Sequence, residues 1–380
     1  MLTPALPASH KPEYLKGFRA FPRDPTTIEA ILDDVQVLNS LQKPRRIGIR
    51  GSDGKIYNIL CKPKDDLRKD QRLMEFNNMI NRFFKKDVES SKRRMLIAVV
   101  DIKTYAVTPL NEECGLIEWV DNLRALRDIV IKLLRERGIA PNYNEIRHDL
   151  NEACSDNSKL HLFTTKVLSK FPPVLYEWFI EMFPEAGSWF AARLRYTRSC
   201  AVMSMVGHVL GLGDRHGENI LFEEGTGGVL HVDFNCLFDK GLTFDIPELV
   251  PFRLTQNMVD AFGAYGYNGP FRKTCEISLR LLRHNEDALM TVLETFLHDP
   301  TTDFIGKKKT HIADRQKRRT HANAPETPAG VLENVRNKLR GLLPGESVPL
   351  SVDGHVDELI VQATDIRNLA AMYIGWCAFF

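Results

Sequence analysis

Two short segments of the sequence carry residue types that suit phosphoryl transfer. The first is Gly-Asp-Arg-His-Gly-Glu-Asn at 213–219, and the second is His-Val-Asp-Phe at 231–234. Phosphoryl transfer needs a carboxylate near the attacking hydroxyl, and an amide oxygen with a second carboxylate to hold Mg²⁺ against the ATP phosphates. Asp214 and Asn219 have the spacing of the Asp and Asn in a kinase catalytic loop. Asp214 is therefore predicted to orient the substrate hydroxyl and to accept its proton.

Residues 220–232 indicate how the two segments would meet. They read as a strand, a glycine-rich turn and a second strand, and such a hairpin would return Asp233 to the side of Asn219. The oxygen ligands of Asn219 and Asp233 would then converge on one Mg²⁺ or Mn²⁺ ion. The spacing alone is weak, because Asp214 could be only a turn residue after a helix. The hairpin, the Asp-Phe pair and the apolar helix before Gly211 together favour catalysis.

Other periodic segments predict the elements that would position this loop. A helix is predicted over 188–210, leading into Gly211. Upstream, strands are predicted at 46–50 and 55–62 around an Asp-Gly turn, an amphipathic helix at 73–84, and a further strand pair at 95–102 and 105–110. Downstream of residue 120, helices are predicted from Leu123 to Gly138 and, as one helix or a pair, over 272–297. This switch predicts a β-rich lobe followed by a helical lobe.

The order Asp-Arg-His at 214–216 differs from the His-Arg-Asp of ordinary protein kinases and resembles the phosphatidylinositol-3-kinase-related protein kinases. The segments 61–70, 247–254 and 372–380 are similar to the family's phosphate-binding lysine segment, the end of its activation loop and its FATC element. Within the family, 61–69 and 233–238 are most similar to the checkpoint branch. The resemblance implies an α+β, bilobal PI3K/PI4K-like protein kinase fold with a C-terminal helical FATC element.

The resemblance also implies a division of the chain. Family members are very long chains in which a helical-repeat region precedes the kinase, so this sequence resembles a C-terminal piece. The predicted regions are an N-terminal extension at 1–24, an N-lobe at 25–118, a C-lobe at 119–304 with its catalytic loop at 213–219 and activation loop at 233–254, a regulatory linker at 305–347, and the FATC element at 348–380.

Lys62 is the candidate for binding the ATP phosphates. It ends a predicted strand and precedes several acids, the order expected where a strand lysine grips phosphate oxygens and a carboxylate orients it. Asp65 or Asp70 would be its partner, and Asp70 could equally cap the next helix. By itself the pattern is also typical of a surface strand end. The resemblance further implies that residues 40–44 form a phosphate loop without the usual glycines, with Lys43 as a phosphate contact.

Trp119 follows an apolar strand at the predicted lobe junction. Its ring could stack on adenine while the backbone of Glu118 and Val120 offers hydrogen bonds, or it could belong to the core. The resemblance favours the nucleotide site, with Leu221 and Val232 as the floor of the adenine pocket.

His216 and Arg215 flank the predicted catalytic Asp214. His216 could hydrogen-bond the developing phosphoryl charge and, when protonated, neutralise it; the alternative is a structural cap of the loop. Arg215 is predicted to brace the loop. Asn235 replaces the glycine of Asp-Phe-Gly, and Asn adopts positive φ less freely than Gly, so switching of the activation loop is predicted to be restricted.

Composition excludes several classes of protein. The 380 residues are 43% apolar, enough for two buried cores, and a net charge of +2 gives no global field, so no nucleic-acid site is evident. Seven cysteines without a Cys-x-x-Cys pair predict reduced thiols and no zinc site. No long apolar run or charged leader appears, which predicts an intracellular protein without a transmembrane segment. Basic clusters within 305–330 fit a nuclear-import signal or a solvated loop.

Three functions compete: a Ser/Thr-protein kinase, a phosphoinositide kinase and a catalytically silent scaffold. The predicted substrate segment, 235–251, has one cation, Lys240, among the acids Asp239, Asp245 and Glu248, whereas an inositol polyphosphate headgroup would favour clustered cations. Scaffolds usually lack at least one of the kinase residues found here at 62, 214, 219 and 233. The sequence therefore predicts a Ser/Thr-protein kinase, with residues 238–254 shaping the peptide groove.

The resemblance adds finer expectations about cofactors, partners and location. It implies ATP with Mg²⁺ or Mn²⁺, protein substrates with Gln after the phosphorylated Ser or Thr, a regulatory subunit, activator proteins, and a nuclear role in DNA-damage checkpoint signalling. The apolar tail at 372–380 could be a foot on a membrane surface or a packed end. Packing against the C-lobe is favoured because no basic face accompanies the apolar residues.

Overall fold

The structure is a computed structural model that describes residues 16, 18, 19, 23–39, 42–87, 102–151, 156–298 and 327–380. Two compact units are present: residues 1–75 with 104–121, and residues 76–103 with 122–380. Three features named above lie outside the described ranges: residues 40–41, residues 95–101 of the strand predicted at 95–102, and the basic clusters of the linker. The proposed division of the chain stays a prediction, including the lobe boundary after residue 118, the linker at 305–347 and the separate region at 348–380.

The first unit is built on a five-stranded antiparallel sheet in the order β1-β2-β3-β5-β4. The strands are β1 Ile28–Val37, β2 Arg45–Gly51, β3 Ile56–Pro63, β4 Val107–Asn111 and β5 Cys114–Glu118. The predicted Asp-Gly turn joins β2 to β3, with Gly54 at a φ of 75°. Helix α1, Arg68–Lys86, begins in this unit. Lys62 lies on the central strand β3, opposite Gly115 of β5.

The second unit is mainly helical and contains one small sheet. The strands β6 Leu123–Ala125, β7 Ile220–Glu223 and β8 Val229–His231 form the predicted hairpin and one added strand. The helices are α2 Leu126–Glu136, α3 Tyr143–Asn151, α4 Asp156–Leu162, α5 Leu175–Met182, α6 Ala186–Leu210, α7 Gln256–Ala261, α8 Pro270–His284, α9 Glu286–Leu297, α10 Pro328–Arg340, α11 Val352–Thr364 and α12 Ile366–Ala371. A β-sheet unit and a helical unit confirm the predicted α+β class.

Leu123 was predicted to begin a helix, and that prediction is wrong. Residues Leu123–Ala125 are a strand because they pair with β7, where Ala125 faces Leu221. The helix starts at Leu126, whose side chain is fully buried. A tertiary pairing therefore overrides the local helical periodicity at this end. The predicted helix or helix pair at 272–297 is a pair, α8 and α9.

Helix α6 crosses the core of the second unit. From Thr197 to Leu210 nearly every residue is buried, as expected for a helix that is apolar on all sides. Aromatic rings contact its middle turn: Tyr196 lies 5.4 Å from Phe222 and 5.1 Å from Phe262 between ring centroids. The Tyr196 hydroxyl also donates to the Met258 carbonyl over 3.0 Å. These contacts make α6 a rigid support for the loop that follows it.

The apolar C-terminal tail is packed within the second unit, as predicted. Trp376, Phe379 and Phe380 are each 1% exposed. The Phe379 ring lies 4.8 Å from Phe171, the residue that precedes α5 by a short loop. Within the described ranges, no helix combines the length and the apolar character needed to cross a bilayer.

A buried histidine, His355, links helix α11 to α8, and we expect it to make the protein sensitive to acid. Arg283 of α8 donates to the Leu350 carbonyl over 3.0 Å and, from Nη2, to Nδ1 of His355 over 3.0 Å. Because Nδ1 accepts this hydrogen bond, the imidazole is neutral. Burial and the Arg283 charge lower the pKa of His355 from 6.5 to about 4. The folded state therefore binds this proton less readily than the unfolded state, and stability is complete above pH 6.5 and lost as the pH falls toward 4.

We expect His355 to contribute on the order of 2 to 3 kcal/mol to this loss. The free energy of unfolding, measured in urea between pH 7 and 4, should fall less steeply in His355→Gln than in the wild type. His161→Gln, a change at an exposed histidine of α4, is the control and should keep the wild-type slope. Equal slopes for the wild type and His355→Gln would contradict this account.

Candidate active site

Helix α6 ends in a glycine turn that directs the chain into the predicted catalytic loop. Gly211 has a φ of 58°, and the N–H of Leu212 reaches back to the Gly207 carbonyl over 2.8 Å, which is a Schellman end. A Cβ on Gly211 would lie 2.4 Å from the backbone nitrogen of Asp239. Glycine is therefore required here both by the left-handed conformation and by the close approach of the activation loop.

Asp214 adopts a left-handed backbone conformation, with a φ of 59°. Aspartate tolerates this region better than most residues, but the conformation still has to be held by neighbouring groups. The Asp214 N–H donates to Oε2 of Glu248 over 2.8 Å, and the Asp214 carbonyl accepts from the Asn219 side-chain amide over 2.9 Å. The N–H and the carbonyl of Asp214 are both held by hydrogen bonds, and its carboxyl remains partly exposed.

Arg215 braces the loop, which confirms its predicted role. Its guanidinium donates to the carbonyls of Gly213 over 2.9 Å, of Val232 over 2.8 Å and of Asp233. The side chain is 4% exposed, and burial lowers the pKa of Arg215 while the Asp233 and Asp214 charges oppose that shift. One buried cation therefore ties the catalytic loop to the strand end that carries the second carboxylate.

Asn219 and Asp233 are brought together by the hairpin, as predicted. The N–H of Val232 donates to the Asn219 carbonyl over 3.1 Å, and Ile220 pairs with His231. Asp233 also has a left-handed backbone, with a φ of 58°, and its Oδ1 accepts from the Asn235 side chain over 2.9 Å. Both candidate ligands therefore project from adjacent, well-fixed backbone.

An amide oxygen and a carboxylate fit Mg²⁺ or Mn²⁺. Both ions favour oxygen ligands, and Mg²⁺ in phosphotransferases is usually held by one or two protein side chains plus substrate phosphates and water. No group of three or more His, Cys, Asp and Glu side chains suited to a metal occurs in the part of the chain that the structure describes. The arrangement thus suits an ion that is completed by a nucleotide rather than a closed protein cage.

His216 lies beside Asp214, with 3.8 Å between His216 Nε2 and Asp214 Oδ1. Its Nδ1 accepts from the Glu218 N–H over 3.2 Å, so the neutral ring carries its proton on Nε2. Burial lowers the pKa of His216, although Asp214 and Glu218 act in the opposite direction. The contact with the Glu218 N–H is the loop cap that was the alternative expectation, and a hydrogen bond from His216 to the phosphoryl group stays a prediction.

Lys62 in the first unit has an acidic partner close by. Its Nζ lies 2.5 Å from Oδ2 of Asp65, and both side chains are largely buried. The backbone of Asp65 is fixed by a hydrogen bond from its N–H to the Glu113 carbonyl over 3.0 Å. Asp70, the other candidate, is 2% exposed in the first turn of α1, where an acid favours the helix dipole. The structure places Asp65 next to Lys62, and the choice of the acid that orients Lys62 stays a prediction.

Lys43 is exposed at the turn between β1 and β2 and has a φ of 47°. The neighbouring Gln42 donates from its side chain to the Lys64 carbonyl over 3.4 Å. This turn is therefore close to the segment that carries Lys62, although Ser40 and Leu41 lie outside the described residues. A phosphate contact by Lys43 stays a prediction.

The end of β5 carries the predicted adenine contacts. The Trp119 N–H donates to Asn58 over 3.1 Å, and the Arg46 guanidinium lies 4.9 Å from the centroid of the Trp119 ring. The Glu118 N–H donates to the Ala106 carbonyl over 2.8 Å, so this N–H is already engaged, and a hydrogen bond from the Glu118 backbone to a nucleotide stays a prediction. The Glu118 carboxylate also accepts from the Ala106 N–H. Adenine contacts by Trp119 and Val120 stay predictions.

Leu221 and Val232 flank the two candidate metal ligands and are partly exposed, whereas their neighbours Ile220 and Phe222 are buried. Val232 is fixed by both its N–H and its carbonyl, to Asn219 and Arg215. Exposed apolar side chains on a fixed backbone suit an adenine contact, and this role stays a prediction.

Three further residues were not identified as functional from the sequence: Glu248 and Arg253 in the second unit, and Arg46 in the first. Glu248 was treated as an acid that meets the substrate, but it is 7% exposed and binds the Asp214 backbone. Arg253 is 3% exposed and donates to the Trp376 carbonyl over 2.6 Å and to the Arg215 carbonyl over 3.4 Å. Arg46 shares a sheet face with Lys62, because it pairs with Leu60. The available signal in the sequence was that Glu248 and Arg253 lie in the segment 247–254, which resembles the end of the family's activation loop.

Asp239 shows that the activation loop is also held from α10. Its carboxylate accepts from Lys338 over 2.6 Å and from Asn334 over 2.6 Å, and its N–H donates to the Gly211 carbonyl over 2.9 Å. The Asp239 side chain is therefore turned inward. Of the three acids in the predicted substrate segment, Asp245 alone is exposed.

Comparisons with known proteins agree with this geometry. The family model described as Phosphatidylinositol 3- and 4-kinase matches residues 56–305, and the FATC domain model matches residues 349–380. Protein kinase rad3 of Schizosaccharomyces pombe is 52% identical over 374 residues, which cover 98% of this chain and 15% of rad3. Serine/threonine-protein kinase ATR of Arabidopsis thaliana is 44% identical over 359 residues, covering 94% of this chain and 13% of that protein.

A solved structure is similar as well. The chain described as the FAT and kinase domain of CtTel1 matches with a TM-score of 0.81 and 32% identity, over 95% of this chain and 24% of that one. The chain thus spans only 15% and 13% of the two curated relatives just described. The resemblance predicted from the catalytic, lysine-bearing and C-terminal motifs is confirmed.

Proposed function

Because the chain belongs to the phosphatidylinositol 3- and 4-kinase family and contains a FATC domain, we propose that it transfers the γ-phosphate of ATP to serine or threonine hydroxyls of proteins. The observation that carries this proposal is that Asp214, Asn219 and Asp233 lie on adjacent backbone, held there by Arg215 and the β7–β8 hairpin. Relatives named as serine/threonine-protein kinases support the choice of reaction.

Each residue has a defined task in this proposal. ATP supplies the phosphoryl group, and Mg²⁺ or Mn²⁺ offsets its charge. Asn219 and Asp233 would hold the ion, and Lys62, oriented by Asp65, would contact the phosphates. Asp214 orients the substrate hydroxyl and accepts its proton. His216 donates a hydrogen bond from Nε2 to the developing charge on the transferred phosphoryl group.

A protein substrate is favoured over a phosphoinositide by the charge of the activation loop. Among residues 235–251, Lys240 is the one cation, and with Asp239 and Glu248 turned inward the exposed charges are Lys240 and Asp245. Such a surface is nearly neutral. It lacks the clustered cations that would attract a polyphosphorylated headgroup.

Finer aspects of the proposal follow from the family to which the chain belongs. The family resemblance of the motifs extends the proposal to phosphorylation of Ser or Thr before Gln and to a role in nuclear DNA-damage checkpoint signalling. A regulatory subunit and activator proteins belong to the same proposal.

Radiolabelled phosphate transfer tests these assignments. The wild-type chain would be incubated with ATP, Mg²⁺ and one of three acceptors: a Ser-Gln peptide, the matched Ser-Ala peptide, or phosphoinositide vesicles. We expect labelling of the Ser-Gln peptide, with at least about 10-fold less on Ser-Ala, because differential recognition of one side chain supplies about this ratio. Equal labelling of both peptides would remove the Gln preference, and labelling of vesicles alone would replace the protein-kinase function by a lipid-kinase function.

A further inference from the structure

Glu248 makes an unusual contact for an activation-loop acid. It lies 34 positions after Asp214, and its Oε2 accepts the Asp214 N–H over 2.8 Å. The side chain is 7% exposed, and its second oxygen, Oε1, is buried without a hydrogen-bond partner among the described residues. Burial raises the pKa of Glu248 although the charges of Arg215 and Arg253 oppose the shift, so keeping this carboxylate buried costs free energy. Its presence therefore indicates a task other than stability.

Two glycines leave room for this carboxylate. A Cβ on Gly213 would lie 2.6 Å from Oε2 of Glu248, and a Cβ on Gly241 would lie 2.8 Å from the same atom. Neither glycine has a positive φ, so their conformations do not require glycine. The close approach of the Glu248 carboxylate explains the absence of a side chain at Gly241. At Gly213 the carboxylate acts together with Cys236, whose Sγ would lie 2.7 Å from an added Cβ.

The backbone of Glu248 is fixed as well. Its N–H donates to the Gly241 carbonyl over 3.1 Å, and Gly213 donates its own N–H to the Cys236 carbonyl over 2.9 Å. The Glu248 carboxylate is thereby held against the residue before Asp214 and against the Asp214 N–H. The left-handed backbone of Asp214, at a φ of 59°, is the conformation in which this N–H meets Oε2.

We propose that Glu248 is the positioning residue of the catalytic loop: its Oε2 holds the Asp214 backbone so that the Asp214 carboxyl faces the substrate hydroxyl. This inference rests on the proposed kinase function. The task needs a hydrogen-bond acceptor at this position and does not need a negative charge. Glutamine, which has an acceptor oxygen and nearly the same shape, should therefore perform it, whereas methionine should not.

Steady-state kinetics on Glu248→Met and Glu248→Gln tests the proposal. We expect Glu248→Met to lower kcat by about 10- to 100-fold, because small displacements of a catalytic group cost up to about 100-fold. Its KM for ATP should stay within about 2-fold, and its thermal midpoint should change little, because losing the acceptor of the Asp214 N–H and removing a buried carboxylate act in opposite directions. Glu248→Gln should keep kcat within about 3-fold. Glu294→Gln, a change at an exposed glutamate of α9, is the control.

Three outcomes would overturn the proposal. These are a wild-type kcat in Glu248→Met, a loss confined to KM, or a loss in Glu248→Met that Glu248→Gln does not restore. If Glu248→Met fails to fold, Gly241→Ala replaces it, because the added Cβ would meet Oε2 of Glu248 at 2.8 Å and displace the carboxylate while Glu248 remains. A wild-type kcat in Gly241→Ala overturns the proposal equally. Inactive wild-type protein would instead contradict the proposed function, so the two failures are distinguishable.

Discussion

Replacing Asp233 by asparagine should reduce phosphate transfer by about 100- to 1,000-fold while leaving the fold intact. The carboxylate is the only acidic member of the candidate ion site, and removing one preorganised charge-stabilising group typically costs about 100- to 1,000-fold. Asparagine keeps the shape of the side chain and tolerates the left-handed backbone at a φ of 58°. The carbonyl contact from Arg215 to residue 233 does not depend on the side chain. A loss of activity would therefore report on the ion and not on the loop.

The measurement is kcat at saturating ATP over a range of Mg²⁺ concentrations, together with the thermal midpoint. We expect the thermal midpoint to change little. Raised Mg²⁺ should recover only part of the activity, because the Asn219 oxygen and the new amide oxygen at position 233 can still bind the ion, but more weakly than a carboxylate. Asp287→Asn, which removes an exposed acid from α9, should behave as the wild type. If Asp233→Asn kept more than a tenth of the wild-type rate at ordinary Mg²⁺, Asp233 could not be the main ligand.

The predictions from sequence succeeded where the signal was local. The hairpin that carries Asp233 back to Asn219 was predictable because strand, glycine turn and strand lie within fourteen positions of the chain. Helix α6 was predictable from its apolar periodicity, and its glycine end from the residue type. In each case the residues that determine the structure are neighbours in sequence, so pattern and propensity suffice.

Features that depend on distant contacts were not predictable. Nothing near Glu248 in the sequence indicates that its carboxylate meets Asp214, 34 positions earlier. The left-handed conformations of Asp214 and Asp233 also follow from such contacts, since the side-chain type allows positive φ without requiring it. The position of Asp65 beside Lys62 was not predictable for the same reason, because two acids follow Lys62 at similar spacing in the sequence.

Arg253 is the second residue whose replacement should have a large effect, this time on stability. Its buried guanidinium donates to the carbonyls of Trp376 over 2.6 Å and Cys377 over 2.8 Å, and its Cζ lies 4.2 Å from the centroid of the Trp376 ring. It also donates to the Arg215 carbonyl over 3.4 Å. Burial lowers the pKa of Arg253 to about 10, so the side chain stays charged at neutral pH. One cation therefore joins the C-terminal tail to the catalytic loop.

Arg253→Met should lower the free energy of unfolding by about 3 to 5 kcal/mol, because it leaves several buried carbonyls without a donor. The thermal midpoint should fall by at least about 5 °C. Arg340→Met is the matched control: Arg340 is 55% exposed and pairs with Glu286 over 2.8 Å, and exposed pairs contribute about 1 kcal/mol or less. An unchanged midpoint in Arg253→Met would show that the tail carbonyls find other donors.

Deleting the last ten residues should have the larger effect and unfold the second unit. The deletion removes Trp376, Phe379 and Phe380, each of which is 1% exposed. Burial of each aromatic side chain contributes about 1.5 to 3 kcal/mol, and the sum is comparable with the whole stability of a typical domain. The loss would also expose Phe171 and remove the carbonyls of Trp376 and Cys377 that accept hydrogen bonds from Arg253. Circular dichroism with limited proteolysis measures this directly, and a truncated chain that melts like the wild type would refute the structural role of the tail.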